Sequence, residues 1–122
     1  MMQLDHLAVD ARDVDASSWF LARILGAKAP VPEGADDDMR RIDLDHGCFV
    51  LFSHASEPRF SHVAFRVDPA RFTQVVARLQ EARVPFGNEP FDTANGQTQD
   101  PLGGAGRVYF QDGNGHLWEV TC

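Results

Sequence analysis

A chain of 122 residues and 13.5 kDa, 43% hydrophobic and 24% charged, suits a single folded domain with its own core and leaves no length for a separate cofactor-binding domain. Eleven Lys and Arg against eighteen Asp and Glu give a net charge of -7 and a pI near 5.0, so nucleic acid is not expected as a partner. No apolar run is long enough to cross a bilayer, and no membrane partner is expected. Cys48 and Cys122 are the only cysteines, and the first residues lack a basic stretch followed by an apolar core, so the expected location is the cytoplasm, without a disulfide scaffold.

In chain order, the first predicted element is a short alternating strand at residues 4–10 carrying His6. A helix follows from about Val14 to Leu25, with Leu21, Ile24 and Leu25 on one stripe, Asp13 or Asp15 as its cap and Gly26 as its stop. Strands are then predicted at roughly 27–31, 39–44 and 48–53, with an acidic loop at 34–38 and a turn at Asp45-His46-Gly47. The pattern restarts near Phe60, where Phe60-Ser61-His62-Val63-Ala64-Phe65 repeats Leu4-Asp5-His6-Leu7-Ala8-Val9 and places His62 where His6 stood. Asp68 is the predicted cap and Pro69 the first residue of a second helix, along which Phe72, Val75, Val76, Leu79 and Ala82 recur at helical spacing. Strands at roughly 84–88, 107–111 and 116–121 complete the second half, the last two joined by the turn Asp112-Gly113-Asn114-Gly115. The polar, Gly-rich stretch 93–106 reads as a binding loop or lid, or as slack. Both halves thus follow the order strand, helix, three strands, with module one at about residues 1–56 and module two at about 57–122.

Alternation along the strands sorts the side chains into two faces. Leu7, Val9, Val63, Phe65, Val67, Val108, Phe110, Trp118 and Val120 fall on one, which is expected to meet the helices. His6, Ala8, His62, Ala64, Arg66, Arg107, Tyr109, Gln111, Leu117, Glu119 and Thr121 fall on the other, which has the mixed polarity of a pocket floor. If the halves are related by an approximate two-fold, His6 and His62 face one another with Glu119 on the same side. Two imidazoles and a carboxylate converging on a partly dry surface are costly to desolvate singly, and a divalent cation resolves that cost. Two His and one carboxylate with open positions is the ligand set of catalytic non-haem iron and related Mn, Zn, Ni or Co sites. Arg66 and Arg107 offer planar forks for an anionic group on a substrate. His46, His54 and His116 lie in turns or at a strand end and read as solvated loop residues. No Ser sits on a strand-to-helix elbow, and Gly103-Gly104-Ala105-Gly106 precedes a strand, so neither a nucleophile triad nor a phosphate-binding helix start is supported.

The two His-bearing strands and the closing Val108-Tyr109-Phe110-Gln111-Asp112-Gly113-Asn114-Gly115-His116-Leu117-Trp118-Glu119-Val120 resemble, over essentially the whole chain, the vicinal oxygen chelate superfamily of glyoxalase I, fosfomycin-resistance transferases, bleomycin-resistance proteins and extradiol dioxygenases. The resemblance implies an α+β fold of paired βαβββ modules forming a cupped, mixed, eight-stranded sheet with helices on its outer face. It also implies one divalent metal ion held by His6, His62 and Glu119, and electrophilic chemistry on vicinal oxygens of a small-molecule substrate. Tyr109, ten residues before Glu119, matches a tyrosine of the transferases and dioxygenases and is assigned as proton donor or oxyanion partner. Family members commonly form homodimers.

Departures from the family pattern narrow the reaction. Cys48-Phe49-Val50-Leu51-Phe52 holds no carboxylate where glyoxalase I places a further ligand. Ala8 and residues 100–106 differ from the phosphonate-binding pattern of the transferases, and Asp100 stands where dioxygenases carry a His. The resulting order of expectation is group transfer, then isomerisation, then ring-cleaving oxygenation. A protein of the same fold that sequesters a small molecule without turnover is the alternative.

Overall fold

The computed structural model describes residues 1–122, in two compact units divided after Arg59. In the first, strand β1 (His6–Ala11) leads to helix α1 (Val14–Leu25) and then to β2 (Val31–Glu33), β3 (Met39–Asp43) and β4 (Phe49–His54). Asp13 caps α1 by accepting a hydrogen bond from the Ala16 N–H, and Gly26 ends it in the left-handed conformation (φ 68°) that a residue without Cβ adopts at no steric cost. The sheet runs β1-β4-β3-β2, with β1 and β4 parallel and the other pairs antiparallel. Val9, Ala11, Ile42, Val50 and Phe52 are buried on one face, against which α1 packs Leu21, Ile24 and Leu25.

The second unit repeats the plan with β5 (His62–Arg66), α2 (Pro69–Glu81), β6 (Arg107–Gln111) and β7 (Leu117–Thr121). Asp68 caps α2 by accepting from the Arg71 N–H, and Pro69 occupies the first turn, where its missing N–H costs nothing. The sheet order is β5-β7-β6, with β5 and β7 parallel and β6 antiparallel to β7. In both units, therefore, the His-bearing first strand pairs in parallel with the last. Val108, Phe110, Trp118 and Val120 are fully buried, and Phe65 stacks on Trp118 at 6.0 Å between ring centroids. Burying each such side chain stabilises the fold by roughly 1.5–3 kcal/mol.

The α+β class matches the sequence reading, and so does the element order except for one strand of the second unit. Two of the eight expected strands differ. The strand expected at 27–31 begins only at Val31, because Ala27 is still bonded to the Ala22 carbonyl at the helix stop and Pro30 has no N–H to give a ladder. The strand expected at 84–88 contracts to one pair, Gly87 with Tyr109, whose amides bond each other's carbonyls at 3.1 and 2.7 Å. Pro85 and Gly87 work against a longer strand there. A Cβ on Gly87 would collide with the Asp92 carbonyl, so the close return of residues 92–95 depends on that glycine. No helix is long and apolar enough to cross a membrane.

Candidate functional site

On β7, which is hydrogen-bonded on both sides, Glu119 lies level with Ala64 of β5 and Tyr109 of β6, so all three point to one face of the sheet. His62, two residues before Ala64, shares that face, and its Nε2 lies 2.8 Å from Glu119 Oε1. The Glu119 side chain is only 7% exposed, whereas the imidazole side chain is 44% exposed, so a buried carboxylate is aimed at a ring that solvent reaches. The other oxygen, Oε2, accepts a hydrogen bond from Arg107 Nη1. Arg107 is fixed in turn, its Nε donating to Asp100 Oδ1 at 2.8 Å and its Nη2 to Oδ2 at 3.4 Å. Tyr109 is buried (7% exposed), with its ring centroid 6.2 Å from that of His62, and its hydroxyl makes no hydrogen bond to the protein. Arg66, on the same strand face as His62, is exposed and without an ion-pair partner.

The loop that supplies Asp100 is fastened along its length. Asp100 Oδ1 accepts from the Leu102 N–H at 2.8 Å and Oδ2 from the Gly104 N–H at 3.0 Å. A Cβ on Gly104 would collide with Asp100 Oδ2 and lie 2.8 Å from the Cys122 carbonyl oxygen, so the glycine is what lets the amide approach the carboxylate. Ala105 and Gly106 bond the Cys122 carbonyl, and the Arg107 N–H bonds that of Thr98. Residues 100–106 thus form a cradle for a carboxylate of the chain itself. Hydrogen bonds from Arg107, then from the Leu102 N–H, hold the Asp100 carboxyl below its ordinary value despite the opposing effect of burial, and Asp100 raises the Arg107 guanidinium in return.

His6 has a separate environment in the first unit. Its Nδ1 lies 2.6 Å from Asp5 Oδ2, an arrangement in which Nδ1 donates to the carboxylate and the neutral ring has its lone pair on Nε2. The ring stacks on Phe49, its partner across β1 and β4, at 4.6 Å and within 5° of parallel. The Arg41 guanidinium also lies over the Phe49 ring, 3.7 Å from its centroid, and donates to Asp43 at 2.7 Å. Beside His6, then, β4 presents an aromatic ring and no carboxylate. Neither unit by itself gathers three His, Cys, Asp or Glu side chains into a metal-binding group.

Two features escaped the sequence reading. Asp100 was noted only as a departure from a family pattern, yet it anchors Arg107. His116, read as a solvated turn residue, is fully buried: its Nδ1 accepts from the Ser61 N–H at 3.1 Å and its ring meets Trp118 edge-on at 6.0 Å. It lies within the turn that Asp112 closes by accepting from the amides of Asn114 and His116 and from the Trp118 indole. Its place one residue before a strand buried on both faces was the available signal.

The chain matches the Glyoxalase/Bleomycin resistance protein/Dioxygenase superfamily over residues 3–120. It belongs to that superfamily. Within the glyoxalase/bleomycin resistance/dioxygenase superfamily, the chain is similar to the solved structure of oxidase ChaP-H1, with 32% identity and a TM-score of 0.88 over 98% of this chain and 94% of that one. Oxidase ChaP-H2 is similar at 29% identity and a TM-score of 0.86, over 98% of this chain and 91% of that one. The fosfomycin resistance protein FosX of Listeria monocytogenes, solved with Mn(II) and sulfate, shares the fold at 18% identity and a TM-score of 0.69, over 100% of this chain and 90% of that one. A search of curated proteins gave no match.

Proposed function

We propose that the protein is a divalent-metal-dependent enzyme that carries out the oxidation of a small, oxygen-rich substrate with dioxygen as the electron acceptor, with His6, His62 and Glu119 as the metal ligands. The observation that carries this reading is the approach of His62 Nε2 to Glu119 Oε1, 2.8 Å, within a cluster one positive charge short. Asp100 and Glu119 bring two carboxylates and Arg107 one guanidinium, so an imidazolium or a bound cation balances the group. The donors suit Mn, Fe, Zn, Ni or Co, all of which accept imidazole nitrogen with carboxylate oxygen. The Asp5 carboxylate on His6 Nδ1 is the partner that ligating histidines ordinarily have, and it leaves Nε2 to bind.

A bound divalent ion would supply Lewis acidity, polarising substrate oxygens and stabilising the negative charge that develops on them. The chain's own groups do the rest. We assign Tyr109, buried with its ring beside that of His62, to give or take a proton at a substrate oxygen. Arg66, unpaired and exposed, is the fork for an anionic substituent. Arg107 has its donors turned to Asp100 and Glu119, and we assign it to holding Glu119 in place of the substrate contact first expected of it. Group transfer led the expectations from sequence. Similarity to two oxidases at 32% and 29% identity supports oxidation ahead of it.

In this reading the protein works in the cytoplasm as a homodimer, for which light scattering should give twice 13.5 kDa. Metal analysis of protein purified without a His-tag tests the function itself. About one equivalent of metal is expected, with affinity falling at least about 100-fold in His62→Ala and in Glu119→Gln. A metal-free protein that still binds small molecules would overturn catalysis in favour of sequestration.

A further inference from the structure

Glu119 is nearly inaccessible to water on a strand paired along both edges. A charged carboxylate is tolerated there only with a counter-charge beside it. Arg107 supplies one, and it is itself immobilised: the amides of Leu102 and Gly104 hold Asp100, Asp100 holds Arg107 Nε and Nη2, and Arg107 Nη1 holds Glu119 Oε2. A guanidinium can serve two carboxylates at once because its donors diverge in a fixed plane, whereas an ammonium is a point charge. With Oε2 engaged, only Oε1 faces His62.

We propose that Arg107 is a resident counter-cation that holds Glu119 oriented before metal binds, with Asp100 as its clamp, so that Glu119 offers a metal one oxygen instead of two. The inference rests on the metal-site reading above. Arg107 is a positioning residue, acting through Glu119. Preorganisation of this kind lets the apoprotein hold the ligand carboxylate in place without metal, although one guanidinium shared with Asp100 leaves the group a positive charge short.

The test compares wild type, Arg107→Lys, Arg107→Met and the milder Arg107→Gln after chelator treatment, by thermal melting with and without saturating Mn(II) and by calorimetric titration with Mn(II). Loss of the guanidinium should lower the apoprotein Tm by about 10 °C. Mn(II) should then return at least half of that loss, so that the metal-induced gain in Arg107→Met or Arg107→Gln exceeds the wild-type gain by about 5 °C. Arg107→Lys, which keeps the charge but cannot fork to both carboxylates, should show a gain between those of wild type and Arg107→Met. If Arg107→Met does not fold, Arg107→Gln carries the comparison. Equal losses in apo and Mn(II)-loaded forms would mean a merely structural role and would overturn the inference while leaving the metal site standing. No Mn(II) binding by wild type at all would overturn both.

Discussion

His6 Nδ1 has one hydrogen-bond partner, Asp5, whose side chain is otherwise in solvent. Asp5→Asn can still accept from Nδ1 but loses the negative charge that makes the ring a better donor, so metal affinity should fall about tenfold with the fold intact, read by calorimetric titration. Asp100 behaves differently because its carboxyl is held below the ordinary range by Arg107 and two loop amides. A carboxyl depressed in the folded state adds stability above its unfolded value and loses it as pH falls through the folded one. Asp100→Asn should therefore be less stable than wild type at neutral pH, and the difference should shrink below about pH 4, measured by urea titration across pH. The meeting of His62 and Glu119 on one face was legible because each sits at a fixed place in an alternating strand, one of them duplicated in the first half. Asp100 was not, because its role depends on a loop returning to β6, and neither periodicity nor composition encodes that return.

Among the elements, both helices could be read from their ends: Asp13 with Gly26, and Asp68 with Pro69, are local signals whose capping bonds involve residues within a turn. The strand missing at 84–88 shows the opposite case, where apolar residues suggested a ladder that Pro85 and Gly87 confine to one pair. Phe86 is nevertheless buried, so the hydrophobic signal reported burial correctly and pairing incorrectly. The β6–β7 turn depends on one side chain, Asp112, which takes hydrogen bonds from Asn114, His116 and Trp118. Asp112→Ala removes the acceptor shared by the Asn114 and His116 amides and the Trp118 indole N–H and should cost about 2 kcal/mol or more by urea unfolding. Glu119 follows that turn on β7, so the same variant should also weaken metal binding.

At the scale of the whole molecule, each unit has its own helix, sheet and buried cluster, and the peptide between them joins the exposed residues Arg59 and Phe60. Inserting four Gly and Ser residues at that junction should cost less than about 1 kcal/mol, because lengthening a connection adds only a slowly growing entropy. Hydrogen exchange of β3, β4, β6 and β7 should be unchanged by the insertion. Within the second unit the division of labour is uneven. On β7, Trp118 and Val120 sit in the apolar interior while Glu119, between them, reaches the opposite face, so a slip of one residue would exchange charge and core. On β5, Ala64 and Arg66 stand in the open beside His62. Under the proposed function, natural variation or a mutagenesis library should therefore reshape substrate preference along β5 at little structural risk, whereas β7 is closed to such exploration.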